Sequence, residues 1–139
     1  MGCPFCPIAA GESGAETVVY TDPEIVAFLD HRPVFKGHTL IIPRQHIVTF
    51  PELPDALLVP LLSVTRRVAA AMEGGFGADG SFVAQNNRIS QSVAHLHFHV
   101  IPRHKKDGLR GFFWPREKYE PGEDVAFAER VRAAIEAVG

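Results

Sequence analysis

A chain of 139 residues with 46% hydrophobic and 22% charged residues is long enough to bury a core without disulfide support, and it reads as one domain spanning 1–139. Its formal net charge of −2 argues against bulk nucleic-acid binding, which shows as a basic excess. No run approaches the roughly 18 apolar residues of a membrane span, and the N-terminus lacks the basic-then-apolar layout of a signal peptide, so a cytoplasmic protein without a membrane partner is expected.

The first local feature is Cys3-x-x-Cys6, which holds the only cysteines. In a reducing compartment this spacing points to a metal site or a redox pair sooner than to a structural disulfide, and no thioredoxin-like βαβ pattern follows it. Glu16 to Tyr20 and Glu24 to Asp30 are rich in β-branched and apolar residues, and Thr21-Asp22-Pro23 between them predicts a hairpin turn. Thr39 to Pro43 reads as a short apolar strand. From Asp55 to Glu73, Leu57, Leu58, Leu61, Leu62, Val68, Ala69 and Met72 recur at helical spacing, with Gly74-Gly75 as the stop. Pro60 cannot donate an interior helical bond, so this helix is expected to begin late or to kink there. Ser81 to Gln85 and Ala94 to Pro102 read as two further strands, and Val125 to Val138 as an amphipathic helix. Short turns between strands, with helices inserted, argue an α+β fold on an antiparallel sheet.

Chemistry concentrates in His95-Leu96-His97-Phe98-His99-Val100-Ile101. On a strand, alternate side chains share a face, so the three imidazoles form a row whose reverse side, Leu96, Phe98 and Val100, is core. Histidine titrates nearest neutrality, and such a row offers a nucleophile, a proton donor and a metal ligand close together.

With Gln91-Ser92 upstream, this stretch resembles the active-site signature of the histidine triad (HIT) superfamily of nucleotide hydrolases and transferases, His-φ-His-φ-His-φ-φ preceded by Gln-Ser/Thr. Phe28-Leu29-Asp30, then Gly37-His38-Thr39-Leu40-Ile41-Ile42-Pro43, looks like that family's ribose-binding strand and its successor, and His46 sits where many members carry a histidine. The resemblance implies a five-stranded antiparallel sheet with a central helix and a C-terminal helix, assembled as a homodimer with a longer sheet.

It also implies roles. His97 is the expected nucleophile toward the α-phosphorus, with His99 and Ser92 contacting a phosphate oxygen or the leaving group. His95 either orients His97 or ligates metal. Asp30 accepts from the ribose hydroxyls, and Phe28 and Ile8 flank a base, with a purine nucleotide or nucleoside phosphoramidate as substrate. Cys3 and Cys6 with His46 and His95 form a Cys2His2 set suited to tetrahedral zinc, a pattern similar to that of zinc-containing bacterial members.

The stretch Asn86-Asn87-Arg88-Ile89-Ser90-Gln91 departs from the family's glycine-rich loop. The Asn87 amide or the Arg88 guanidinium is the candidate to replace backbone contacts to phosphate, and Gln91 joins Asn87, His97 and His99 as an expected nucleotide-binding residue. An intact His99 favours hydrolysis over transfer, while phosphoramidase and dinucleoside polyphosphate hydrolase remain equally open. A nucleotide-binding regulatory module is the reading from another class. Arg103 to Lys106, with Arg110 and Arg116, is a basic strip, either phosphate-attracting or simply solvated. Asp107 to Arg116 reads as a lid, a contribution to a partner's pocket, or packing residues.

Overall fold

Five apolar runs bounded by turn residues become five strands, and their pairing carries the fold. The structure is a computed structural model describing residues 2–109 and 115–138. It comprises two compact units, Met1–Asp107 and Gly108–Gly139. In chain order the first contains α1 (Cys6–Ala9), β1 (Val18–Thr21), β2 (Ile25–Leu29), β3 (Thr39–Pro43), α2 (Asp55–Glu73), β4 (Gly80–Gln85) and β5 (Phe98–Arg103). The strands form one sheet in the order β1-β2-β3-β5-β4, antiparallel at every step. This is the α+β architecture expected from the sequence.

All five residues of β3 are buried, so both faces of the sheet need cover. On one face α2 lays Leu57, Leu61, Val64 and Met72 against Ile25, Ala27, Ile41, Leu96 and Val100. Fully burying a side chain such as Leu61 contributes about 1.5–3 kcal/mol. The other face is thinner: Val26, Phe28, Leu40 and Ile42 are covered by Phe5 and Ala9 of the N-terminal segment. Strand alternation makes the division, since neighbours along β2 and β3 enter opposite clusters.

The β1–β2 hairpin turns where expected. Asp22 Oδ1 accepts the backbone N–H groups of Glu24 and Ile25 at 2.7 and 2.8 Å, and the Tyr20 hydroxyl donates to Oδ2 at 2.6 Å. The long helix does not start late, because it runs from Asp55 to Glu73 with Pro60 inside. The carbonyl that loses its partner belongs to exposed Ala56, where water can replace the missing donor.

A second correction concerns the strand expected from Ala94. β5 begins only at Phe98, because the backbone before it is committed elsewhere: the Leu96 N–H donates to Ile47 O at 2.7 Å, and the His95 carbonyl accepts from the His97 ring. Among the described residues no helix is long and apolar enough to cross a membrane.

In the second unit, α3 (Glu123–Val138) begins two residues earlier than the apolar spacing indicated, and none of its residues is buried. Arg110 and the aromatic residues Phe112, Phe113 and Trp114, to which the sequence assigned a lid or packing role, lie outside the described residues.

Candidate active site

Cross-strand pairing assembles the site. Phe28 lies opposite Leu40, and Leu40 opposite His99, so an apolar row runs across the sheet directly to an imidazole. His97, just before β5, is 3% exposed, and its ring centroid is 5.0 Å from that of His99. Leu96 and Val100 enter the α2 core, so the alternation of faces survives in the irregular backbone that precedes the strand.

Hydrogen bonds to fixed backbone groups set the tautomer of each imidazole. A carbonyl can only accept, so the nitrogen facing it carries the proton. His97 donates from Nδ1 to the His95 carbonyl at 2.7 Å, leaving the Nε2 lone pair free. His95 donates from Nε2 to the Pro43 carbonyl at 2.8 Å, leaving Nδ1 with its lone pair. The logic reverses at His38, whose Nδ1 accepts the Val34 N–H at 3.1 Å, so that the proton sits on Nε2. That Nε2–H donates to His99 Nδ1 at 2.9 Å, and His99 therefore carries its own proton on Nε2.

The result is one nucleophilic nitrogen on His97 beside one N–H donor on His99. Burial, then the neighbouring His97 and His38, pushes His99 down to about 4 against the pull of Asp30, keeping it neutral at physiological pH. Burial likewise lowers His38, with Asp30 opposing and His97 reinforcing.

Asp30 takes its position from the end of β2. Its N–H donates to the His38 carbonyl and its Oδ1 accepts the Arg32 N–H, both at 2.9 Å, while Oδ2 lies 3.6 Å from His38 Nε2. The donor atoms of Asp30, His38 and His99 come within 4.8 Å of one another, as in a metal site. The Val34 bond decides against that use: a protonated Nε2 has no lone pair for a metal, so Val34, His38 and His99 form a hydrogen-bond relay with the Asp30 carboxylate as a charge beside it.

Cys3, Cys6, His46 and His95 form the opposite case. Their donor atoms also lie within 4.8 Å of one another. His46 Nδ1 is 3.2 Å from His95 Nδ1, and the Cys3–His95, Cys6–His46 and Cys6–His95 separations are 3.3, 3.4 and 3.8 Å. A tetrahedral zinc with ordinary bond lengths has edges of about 3.3 Å between nitrogens and about 3.6 Å between nitrogen and sulfur. The donor set fits zinc, and the His95 Nε2–H on Pro43 O is the kind of outer bond that orients a ligating imidazole.

The remaining residues singled out from the sequence fall in two groups. Phe28 is 4% exposed and Ile8 packs on the same cluster, so both line the sheet face beside His99. Ser92 is exposed on the turn before the triad. Asn87 and Gln91 spend polar atoms on holding the loop, in part against Val48 and Phe50. Asn87 Oδ1 accepts the Phe50 N–H and the Gln85 amide, both at 2.8 Å, while Gln91 bridges the Arg88 N–H at 2.8 Å and Val48 O at 2.6 Å.

The loop holds two non-glycine residues in the left-handed region, Arg88 at φ 68° and Ser90 at φ 60°. In the basic strip, the Arg103 guanidinium is paired to Asp107 at 2.6 and 3.1 Å.

Sequence reasoning did not single out two residues of the site. One is His38, matched only within the Gly37 to Pro43 stretch of the family resemblance and given no role of its own. The other is Phe5, whose ring meets His97 and Phe28 edge-on, each at 5.2 Å between centroids. The position of Phe5 inside Cys-x-x-Cys was the available signal.

A sheet of this topology, with a lone-pair imidazole and an N–H donor two residues apart at the start of β5 and a relay reaching the donor from His38, is the arrangement of a histidine triad protein. The chain belongs to the HIT domain family, which its residues 12–106 match. It is 35% identical over 137 residues, 97% of this chain and 99% of the relative, to an adenosine 5′-monophosphoramidase of Schizosaccharomyces pombe. A solved HIT family protein from Bacillus subtilis superposes with TM-score 0.84 at 34% identity, covering 96% of each chain. A zinc-bound histidine triad family protein from Mycobacterium smegmatis superposes with TM-score 0.71 at 32% identity, covering 100% of this chain and 99% of that one. Cys3, Phe5 and Cys6 precede the matched family stretch.

Proposed function

We propose that the chain is a nucleotide hydrolase cleaving the α-phosphate linkage of nucleoside 5′-phosphoramidates, with dinucleoside polyphosphates as the other substrate class, through a covalent nucleotidyl-His97 intermediate. The observation that carries this reading is the His97 Nδ1–H bond to the His95 carbonyl at 2.7 Å, which presents Nε2 as a neutral nucleophile. The S. pombe phosphoramidase, aligned along nearly the whole chain, supports the substrate class.

In the proposed reaction, Nε2 attacks the α-phosphorus and a P–N bond forms. The bond to the leaving group breaks, its electron pair departs with that group, and water supplies the proton. The His99 Nε2–H is fixed where it can donate to a non-bridging oxygen or to the departing atom, favouring charge as it builds. Water then attacks the same phosphorus, the bond to His97 breaks, and the nucleoside monophosphate leaves with the imidazole restored.

Asp30 Oδ2 and the apolar wall of Phe5, Phe28, Ile8 and Leu40 suit a ribose and a base. Ser92, on the turn before the triad, supplies a hydroxyl to phosphate. Zinc on Cys3, Cys6, His46 and His95 would tie the N-terminal segment to the sheet, its four positions filled by protein. A second copy would pair along β4, one of the two edge strands, where Val83 is 45% exposed.

Rapid quench during turnover of adenosine 5′-phosphoramidate tests the reaction: nucleotide should be trapped on His97, and His97→Ala should abolish turnover while retaining AMP binding. Tight AMP binding without turnover by the wild type would make the chain a regulatory binding module instead.

A further inference from the structure

The zinc-fitting cluster and the nucleophile share two physical links, and neither passes through the substrate. The first is His95 itself. Its Nδ1 faces the two sulfurs and His46, its Nε2–H is held by Pro43 O, and its backbone carbonyl is the acceptor that fixes the His97 tautomer. A shift of the ligand ring therefore moves the atom that orients the nucleophile.

The second link is Phe5. The Cys3-Pro4-Phe5-Cys6 turn closes with the Cys6 N–H on the Cys3 carbonyl at 3.3 Å, and the Phe5 N–H points at the Cys3 sulfur at 3.4 Å. Phe5, 9% exposed, projects from this turn with its ring edge-on to His97 at 5.2 Å and 86°, and near His95 at 6.0 Å.

The two ends of the N-terminal segment are held differently. At the last residue of α1, the Arg44 guanidinium ties Ala9 O to Thr21 Oγ1 and Asp22 O. At the cysteine end the polar ties across to the sheet are sulfur–imidazole contacts at 3.3 to 3.8 Å, weak bonds for a thiol donor and strong ones only when a metal joins them.

We infer that the Cys3–Cys6 turn is a positioning device for the nucleophile: zinc held by Cys3, Cys6, His46 and His95 fixes Phe5 and His95, and through them sets the orientation of His97. This rests on the hydrolase reading above. Phe5 and His95 act here as positioning residues, and metal occupancy governs kcat without the metal meeting substrate.

The test compares zinc-loaded protein with chelator-stripped protein and with stripped protein given zinc back. Three quantities are read: zinc content, kcat and KM for adenosine 5′-phosphoramidate, and the His97 tautomer from ring 15N shifts at one fixed pH. Stripping should lower kcat roughly tenfold, the scale of losing an outer-shell orienting contact. It should change KM less than threefold and turn His97 from one tautomer into a mixture, with zinc restoring both.

Cys3→His, which keeps a ligand, should retain metal and tautomer, whereas Cys3→Ser should lose both. Phe5→Leu keeps every ligand, so its zinc content should stay at wild-type level while kcat itself falls at least fivefold and His97 becomes a tautomer mixture; a loss confined to KM would make Phe5 a binding wall only and overturn its positioning role, and this arm stands even if the stripped protein unfolds. Stripped, still folded protein with kcat within twofold of the loaded form and unchanged His97 shifts would overturn the proposal, as would a fully active Phe5→Leu. Failure to trap nucleotide on loaded wild-type protein would instead remove the hydrolase reading beneath it.

Discussion

Replacing His38 with Leu should damage catalysis more than it damages the fold. His38 is 2% exposed, receives the Val34 N–H on Nδ1 and donates from Nε2 to His99 Nδ1 at 2.9 Å. Leucine keeps much of the volume but leaves the His99 Nδ1 lone pair without a donor, and an unsatisfied buried acceptor costs about 1–3 kcal/mol. His99 can escape that cost by moving its proton to Nδ1, which removes the Nε2–H from the phosphate side. If the penalty falls on the transition state, kcat drops about 5- to 150-fold, since each 1.36 kcal/mol is tenfold. His38→Gln, whose amide nitrogen reaches about where Nε2 sits, should recover part of the loss. The assay is kcat and KM for adenosine 5′-phosphoramidate near neutral pH, with a melting curve for each variant. A His38→Leu enzyme with kcat within twofold of wild type and His99 still protonated on Nε2 would refute the relay.

Stability should fall as the solution is acidified. His99 is held at about 4 in the fold, below its ordinary value of 6.5, so the unfolded chain binds the proton first; stability is complete above about pH 6.5 and declines toward pH 4. For His99 alone the limit is on the order of 3 kcal/mol, with His38 acting in the same direction, and a urea midpoint that is constant from neutral pH to about 4.5 would contradict this. In the loop before the triad, Arg88→Gly or Ser90→Gly should leave stability unchanged or raise it by up to about 1 kcal/mol, because glycine removes the cost of a left-handed backbone. A loss above about 1 kcal/mol in thermal melts would show that those side chains support the loop. Sedimentation should give about twice the 15.2 kDa chain mass, and Val83→Lys on the β4 edge should shift the protein toward monomer. A wild-type monomer with full activity would refute pairing along that edge.

Much of this arrangement was legible in sequence because it is periodic. The two-residue repeat of the triad and the helical spacing of Leu57, Leu61 and Met72 are local signals, and α2 spans the residues they indicated. The start of β5 was not legible, since the backbone around Leu96 is claimed by Ile47, 49 positions away. His38 was hidden for a similar reason: 61 residues separate it from His99, and only the β3–β5 register brings them together. Phe5 depends on the N-terminal segment folding back over the sheet, which no local pattern encodes. The loop from Asn86 to Gln91 shows the converse, because its polar side chains read as phosphate ligands while in the structure several of their atoms are occupied by neighbouring backbone.

The unequal cover of the two sheet faces has a consequence for motion. The α2 face is closed by a 19-residue helix, and the opposite face by a segment whose α-helix has four residues. Opening free energies track the apolar contacts that each unit must break, so the N-terminal segment should detach as a small cooperative unit while α2 and β3 remain intact. Amide hydrogens of Ala9 and Ala10 should then exchange with solvent far faster than those of Ile41 and Ile42, and bound nucleotide should narrow the gap by resting on Phe5. A protein built this way can admit and release a ligand from one side of its sheet at little risk to its fold, because the side that breathes is separate from the side that holds the chain together.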